Sequence, residues 1–177
     1  MSTFLEILKY ILPSLVVAGT VFYMLKKYFA EEKSKRDFEF RKQNDQMAFP
    51  IKIQAYERLS LFLERIRIHN LIGRIQNKDM DPQIFVHALM MGVNHEYEHN
   101  LVQQIYTSDK LWEIILFAKN EIIHSLHETN TLNQSKTFEE IKNYLYTEAI
   151  PKTDPIIDTA ILAIKKEIQL LLSIFRQ

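Results

Sequence analysis

An apolar run near the start constrains this chain more than any other feature. From Tyr10 to Leu25 no side chain carries a charge; Glu6 and Lys9 stand at the entry end, and Lys26 and Lys27 close the far end. At the helical rise, Leu5 to Leu25 covers roughly 30 Å, about one hydrocarbon core. The run therefore predicts a transmembrane anchor over 1–25, with a lipid bilayer around Leu5 to Leu25. A cleaved signal peptide fits less well. The opening MSTFLE is not basic, and the far end meets Lys26-Lys27-Tyr28-Phe29 where a small-residue cleavage site would be needed. Lys33, Lys35, Arg36, Arg41 and Lys42 follow, and Lys and Arg favour the cytoplasmic side. That bias predicts a single-pass protein with its N-terminus outside and its C-terminal domain cytoplasmic. Pro13 removes a backbone donor and predicts a kink. Ser14, Ala18 and Gly19 form a small-residue face of the kind that lets another helix approach, or one that is ordinary for a membrane helix.

Residues 26–49 are charged on nearly all sides. Glu31 and Lys35, Glu32 and Arg36, and Asp37 and Arg41 stand at i,i+4 with the acid first, an order that supports a helix by a few tenths of a kcal/mol per pair. The pattern predicts a solvated helical stalk that ends just before Pro50. Its basic residues raise the alternative of anionic-lipid binding, which the interleaved acids weaken.

The rest, 50–177, is long enough for one domain with a real core. Gly is 3 residues and Pro 5 in a chain that is 47% hydrophobic. So little Gly argues against hairpin-rich β folds and Gly-rich phosphate loops. An all-α bundle of about five helices follows. Ala55, Tyr56, Leu59, Phe62, Leu63 and Ile66 make a core stripe at helical spacing over 51–67. Gly73 interrupts a short helical piece near 71–75. Asp81-Pro82 reads as an N-cap and first-turn proline, starting a helix to about Tyr106 whose inner face holds Phe85, Ala88, Leu89, Gly92, His99, Val102 and Tyr106. Ser108 caps the next helix, with Leu111, Trp112, Ile115, Ala118, Ile122 and Leu126 inward. HETNTLNQS reads as a polar loop. Thr137 to Glu140 fits a capping box, opening a helix to about Thr147. Asp154-Pro155 repeats the start signal for a last helix striped with Ile157, Ile161, Ile164, Ile168, Leu171 and Phe175. Lys165, Lys166 and Glu167 keep that helix out of a bilayer. Its surplus of apolar residues marks it as a central core helix, or one that also offers a second face to a partner.

The strings Gln54-Ala55-Tyr56-Glu57-Arg58-Leu59, Phe62-Leu63-Glu64-Arg65-Ile66, Glu98-His99-Asn100-Leu101, Gln103-Gln104-Ile105-Tyr106 and Leu111-Trp112 carry a resemblance. The chain resembles an uncharacterised family of short bacterial proteins, typical of Bacteroidota, with one N-terminal membrane helix and a helical cytoplasmic part. The resemblance implies that architecture and a bacterial inner membrane, and it brings no activity with it.

Chemistry is sparse. The chain has no Cys, which excludes disulfides, thiolate catalysis and cysteine-held metals. Its 22 basic and 22 acidic residues balance, unlike the basic excess of a nucleic-acid binder. His95-Glu96-Tyr97-Glu98-His99 matches H-E-x-x-H, in which two His at i,i+4 hold zinc and the Glu serves as base. A third ligand is required, and Glu121, His124 and His127 are the candidates. A His95–Glu121 ion pair explains the same residues as well. Glu96-x-x-His99 and Glu121-x-x-His124 mimic a di-iron pair, but a fold-back at 107–108 leaves them out of level by roughly 7 Å. His99 reads more simply as a core histidine, with His69, His87 and His127 partly exposed. Tyr56, Glu57, Arg58, Glu64 and Arg65 are candidates for an interaction surface, since Tyr and Arg anchor interfaces. A solvated, charge-paired face is the alternative there. No catalytic set, cofactor or small-molecule substrate stands out.

The expected function is that of a membrane-anchored helical adaptor or accessory subunit. It would bind a protein partner, or its own copies, at the cytoplasmic face of the inner membrane. A zinc-hydrolase-like enzyme using His95, Glu96 and His99 is the alternative.

Overall fold

A computed structural model describes residues 2–77, 80–132 and 137–175, with side chains described for all of these except 2–10, 12, 44–46, 174 and 175. The order is α1 (Ser2–Arg65), α2 (Ile68–Ile75), α3 (Pro82–Asn100), a 3-10 segment (Leu101–Tyr106), α4 (Asp109–Leu132), α5 (Phe138–Tyr144), a π turn (Leu145–Ala149) and α6 (Ile150–Phe175). The all-α class holds. The chain divides into two compact units, Met1–Phe49 and Pro50–Gln177.

The membrane-spanning expectation is overturned. Among the described residues no helix is long and apolar enough to cross a membrane. The uncharged run from Tyr10 to Leu25 falls short of the ~20 residues that a hydrocarbon core demands. Pro13, Ser14, Gly19, Thr20 and Tyr23 dilute it further. The side chains of Leu5 to Tyr10 and of Leu12 lie outside the described residues. The bilayer around Leu5 to Leu25, the single-pass inner-membrane location and the outside/cytoplasmic orientation all depended on that span and are corrected with it. Within this first unit residues 26–43 are helical and almost wholly exposed. The three i,i+4 pairs do not close to ion-pair distance.

In the second unit the core stripe of α1 is as expected: Ala55, Tyr56, Leu59, Phe62, Leu63 and Ile66 are all buried. They join Leu71 and Ile72 of α2, Phe85 and Leu89 of α3, Leu111, Ile115 and Ile122 of α4, and Ile157 and Ile164 of α6. Pro50 does not end a helix, since α1 carries through it to Arg65. One missing N–H is tolerated where the turns beyond it bury a full apolar stripe.

α3 starts at its foreseen cap, where Asp81 Oδ1 accepts from the backbone N–H groups of Gln83 and Ile84 at 2.9 and 3.2 Å. It stops at Asn100 rather than Tyr106. His99, still within α3, stands about 120° round the helix from buried Val93 and is exposed; the 3-10 segment that follows winds by about 120° per residue and leaves Val102 exposed. α4 continues to Leu132, through the first part of the expected polar loop. Thr129 and Thr131 satisfy their hydroxyls inside the helix by donating to the carbonyls of Ser125 and His127 at 2.8 and 3.0 Å. The remainder of that loop, 133–135, lies outside the described residues. The capping box on α5 forms, with Thr137 N–H donating to Glu140 Oε2 at 2.8 Å and Glu140 N–H to Thr137 Oγ1 at 3.4 Å. α6 begins at Ile150, so Asp154 is not its cap and Pro155 sits inside the helix.

Gly73 lies within α2 at an ordinary helical conformation, and a Cβ there would meet nothing within 4 Å. Gly92 on α3 differs, because a Cβ would come within 2.9 Å of Ile75 Cδ1 and 3.2 Å of Leu71 Cδ2. Gly92 thus sets how closely α2 approaches α3. Gly73→Ala is expected to stabilise the fold by about 0.5–1 kcal/mol through helix propensity alone, raising Tm by a few degrees in thermal unfolding followed by circular dichroism. Gly92→Ala, which makes Ile75 shift, should gain less.

Candidate functional site

α4 and α6 lie antiparallel: Glu167 of α6 bonds to Ser108 at the start of α4, while Lys152 near the start of α6 donates to Glu128 of α4 at 2.7 Å. The inner face of α6 (Ile157, Ala160, Ile164) is fully buried. Half a helical turn away, Thr159, Leu162, Lys166 and Leu170 form an outer face. That face and Lys110, Leu111 and Ile114 of α4 enclose an open groove of about 390 Å³. Leu162 is 50% exposed and Leu170 66%. Phe117, one turn beyond Ile114, is 57% exposed. The surplus of apolar residues in the last helix thus resolves into two faces, one in the core and one bare.

Glu167 lies at the edge of this groove, but its carboxylate is already committed. Oε1 accepts from the Tyr56 hydroxyl at 2.9 Å and from the Ser108 N–H at 3.0 Å, and Oε2 from the Ser108 hydroxyl at 2.5 Å. The Ser108 hydroxyl in turn accepts from Leu111 N–H at 3.2 Å, completing the expected cap. Burial and then the hydrogen bond to Glu167 push the Tyr56 hydroxyl well above the ordinary tyrosine range. Tyr56 is 2% exposed and belongs to the core.

A second charged cluster went unseen in the sequence. Arg67, between α1 and α2, is 9% exposed. Its Nε and Nη2 donate to the Glu64 carboxylate at 2.8 and 3.2 Å, and Nη2 also to Asp158 at 2.5 Å. Asp154 Oδ1 lies 3.4 Å from Nη1, within ion-pair reach but without a hydrogen bond. Burial alone would lower the guanidinium's affinity for its proton; the bonds to Glu64 and Asp158 outweigh it and hold the pKa above normal. The missed signal is Arg67 and Asp154/Asp158 themselves, an acid pair at i,i+4 on the last helix facing a lone arginine 91 residues away from Asp158.

The H-E-x-x-H residues lie on α3, but their roles separate. His95 and His99 are exposed and set edge to face, ring centroids 4.2 Å apart. Glu96 is held by Arg65 Nε and Arg74 Nη1, each at 2.9 Å. His124 Nδ1 is 3.7 Å from Glu128, and neither His124 nor Glu121 groups with the His pair. Among the described residues no three His, Asp or Glu side chains are grouped to hold a metal ion. His99 is on the surface rather than in the core. His69, His87 and His127 are exposed. Of the interaction-surface candidates, Glu57, Arg58, Glu64 and Arg65 are exposed, with Arg65 engaged by Glu96 and Glu64 by Arg67.

The fold and these clusters define a helical bundle with two bonded charge clusters and an open, mostly apolar groove between α4 and α6. The chain belongs to a family of unknown function (DUF7935), whose model matches residues 2–171. No curated protein and no solved structure matches it.

Three stability tests follow from the clusters. The folded pKa of Tyr56 lies above its unfolded value of 10.0, so its contribution is complete below pH 10 and is lost as pH rises through the folded value. Tm of the native chain should therefore fall above pH 10 more steeply than that of Tyr56→Phe. Glu167→Ala, which leaves the buried Tyr56 hydroxyl unbonded, should cost about 1–3 kcal/mol in urea unfolding. Arg67→Ala should cost about 2–3 kcal/mol. That is less than a fully buried pair loses, because Glu64 and Asp158 can turn to water.

Proposed function

We propose that this protein is a helical binding module, an adaptor or accessory subunit that holds a protein partner on the outer face of α4 and α6. The observation that supports this is the α4–α6 groove. Leu162 and Leu170 lie bare along one open, mostly apolar groove between two packed helices, and Phe117 is exposed on the same α4 helix. Clustered exposed apolar side chains are a common mark of interaction sites. Bacterial origin rests on the resemblance carried by the strings around Tyr56, Glu64 and His99.

The alternative, a zinc-hydrolase-like enzyme, asks Glu96 to act as a base while two guanidiniums hold it. Stoichiometric zinc in protein purified without an affinity tag, lost in His99→Ala, would favour that reading instead.

The binding reading is tested by placing a photo-crosslinking residue at Leu162, Leu170 or Glu139 in cells that natively make the protein. Irradiation should give discrete protein adducts from Leu162 and Leu170 and none from Glu139, which lies away from the groove. Adducts equal at all three positions, or none at any, would overturn it.

A further inference from the structure

We infer that the occupant of the α4–α6 groove is an amphipathic helix of a partner protein, about three turns long, whose apolar stripe is flanked by Asp or Glu. This rests on the binding reading above and specifies its partner. The length follows from the walls. Thr159 to Leu170 spans 11 helical steps, about 17 Å at 1.5 Å per residue, room for apolar anchors at i, i+3 or i+4, i+7 and i+11. The floor is apolar, built by Leu111, Ile114 and Leu162 with Leu170 at one end.

The flanking charge follows from the rim. Lys110 and Lys166 line the groove from opposite walls, and neither forms an ion pair with a described residue. The one acid on the lining, Glu167, has both oxygens bonded to Tyr56 and Ser108. Its charge is thereby held toward the bundle, and the rim presents two ammonium groups to the occupant. Lysine stems can lie along an apolar helix while their heads meet carboxylates at its edge.

A second copy of this chain fits less well. The exposed apolar residues of α3, Ile84 and Met91, have Asp81 and Glu98 at their outer ends but His87, Asn94 and His95 between them, so the stripe is not flanked by acids along its length. Val102 and Ile105 lie on a 3-10 segment, whose side-chain spacing does not match a groove cut for an α-helix.

The full chain is tested against a displayed library of helical peptides that carry leucine at i, i+4 and i+7, with the flanking positions randomised among acidic, basic and neutral residues. Binders should be enriched in Asp and Glu at the flanks. They should lose binding to Leu162→Asp, and should weaken at least tenfold against the double variant Lys110→Glu/Lys166→Glu. Peptides with basic flanks should regain affinity for that double variant. Circular dichroism checks that these surface variants stay folded. Leu162-dependent binders with no acidic bias would overturn the inference while leaving the binding reading intact. So would self-association, seen in sedimentation and abolished by Leu162→Asp, because it makes a second copy the occupant. Adducts at Leu162 and Leu170 in cells, with no library binder that depends on Leu162, would overturn the helical occupant alone. Absence of both would remove the binding reading as well.

Discussion

One carboxylate, Glu167, connects three elements that are far apart in the chain. It receives a hydroxyl from α1, a backbone N–H and a hydroxyl from the residue that starts α4, and is itself carried on α6. Helix faces packed only by leucine and isoleucine can slide by a turn at little cost, because apolar contact is not directional. Three hydrogen bonds to one ion fix the axial level of α6 against α4 and of both against Tyr56. Each bond to a charged group is stronger than a neutral one. The groove inherits its shape from this point. Its walls are the outer faces of the two helices that Glu167 holds in register, and Glu167 lies between them.

Arg67 does similar work at the opposite side of α6, where the chain leaves α1 for α2. A guanidinium offers five donors in a planar fork, and here that fork is shared among carboxylates from α1 and α6. Direction changes between helices leave backbone groups unpaired. At this one the chain also satisfies itself through Asn70, whose amide donates to Glu64 O at 2.7 Å, and Arg74, which donates to Arg65 O at 2.5 Å. Polar side chains thus hold the junction that lies just beyond the buried stripe of α1.

Much of the bundle was legible from periodicity and local chemistry. The core stripe of α1, the inner face of α4, the Asp81 cap and the Thr137 capping box all depend on residues close in sequence, and all are present. What failed was decided by longer range or by competing local bonds. Leu5 to Leu25 read as a membrane span on hydrophobicity alone, but its uncharged part is short. Pro50 and Asp154-Pro155 read as boundaries because proline propensity is local, whereas both prolines sit in helices fixed by tertiary burial. His99 was placed inward with Phe85 and Leu89, whereas the buried face of α3 runs on through Val86 and Val93 and has turned away by His99. The site was half visible. The excess of leucine and isoleucine on the last helix was plain, but pairing its outer face with Lys110 and Ile114 required the antiparallel register of α4 and α6. Glu96 stayed open as a base only in the alternative reading, because a pattern of five residues carries no information about the arginines on α1 and α2 that hold it.

The bare leucines of the groove have a consequence for the molecule in concentrated solution. Like ammonium groups on neighbouring copies repel, and that repulsion keeps greasy surfaces from meeting. Added electrolyte shortens its reach from about 10 Å at 0.1 M to about 3 Å at 1 M, while leaving the attraction between leucines intact or stronger. Where two grooves come face to face, salt therefore weakens the local barrier that Lys110 and Lys166 provide, on a chain whose net charge is zero.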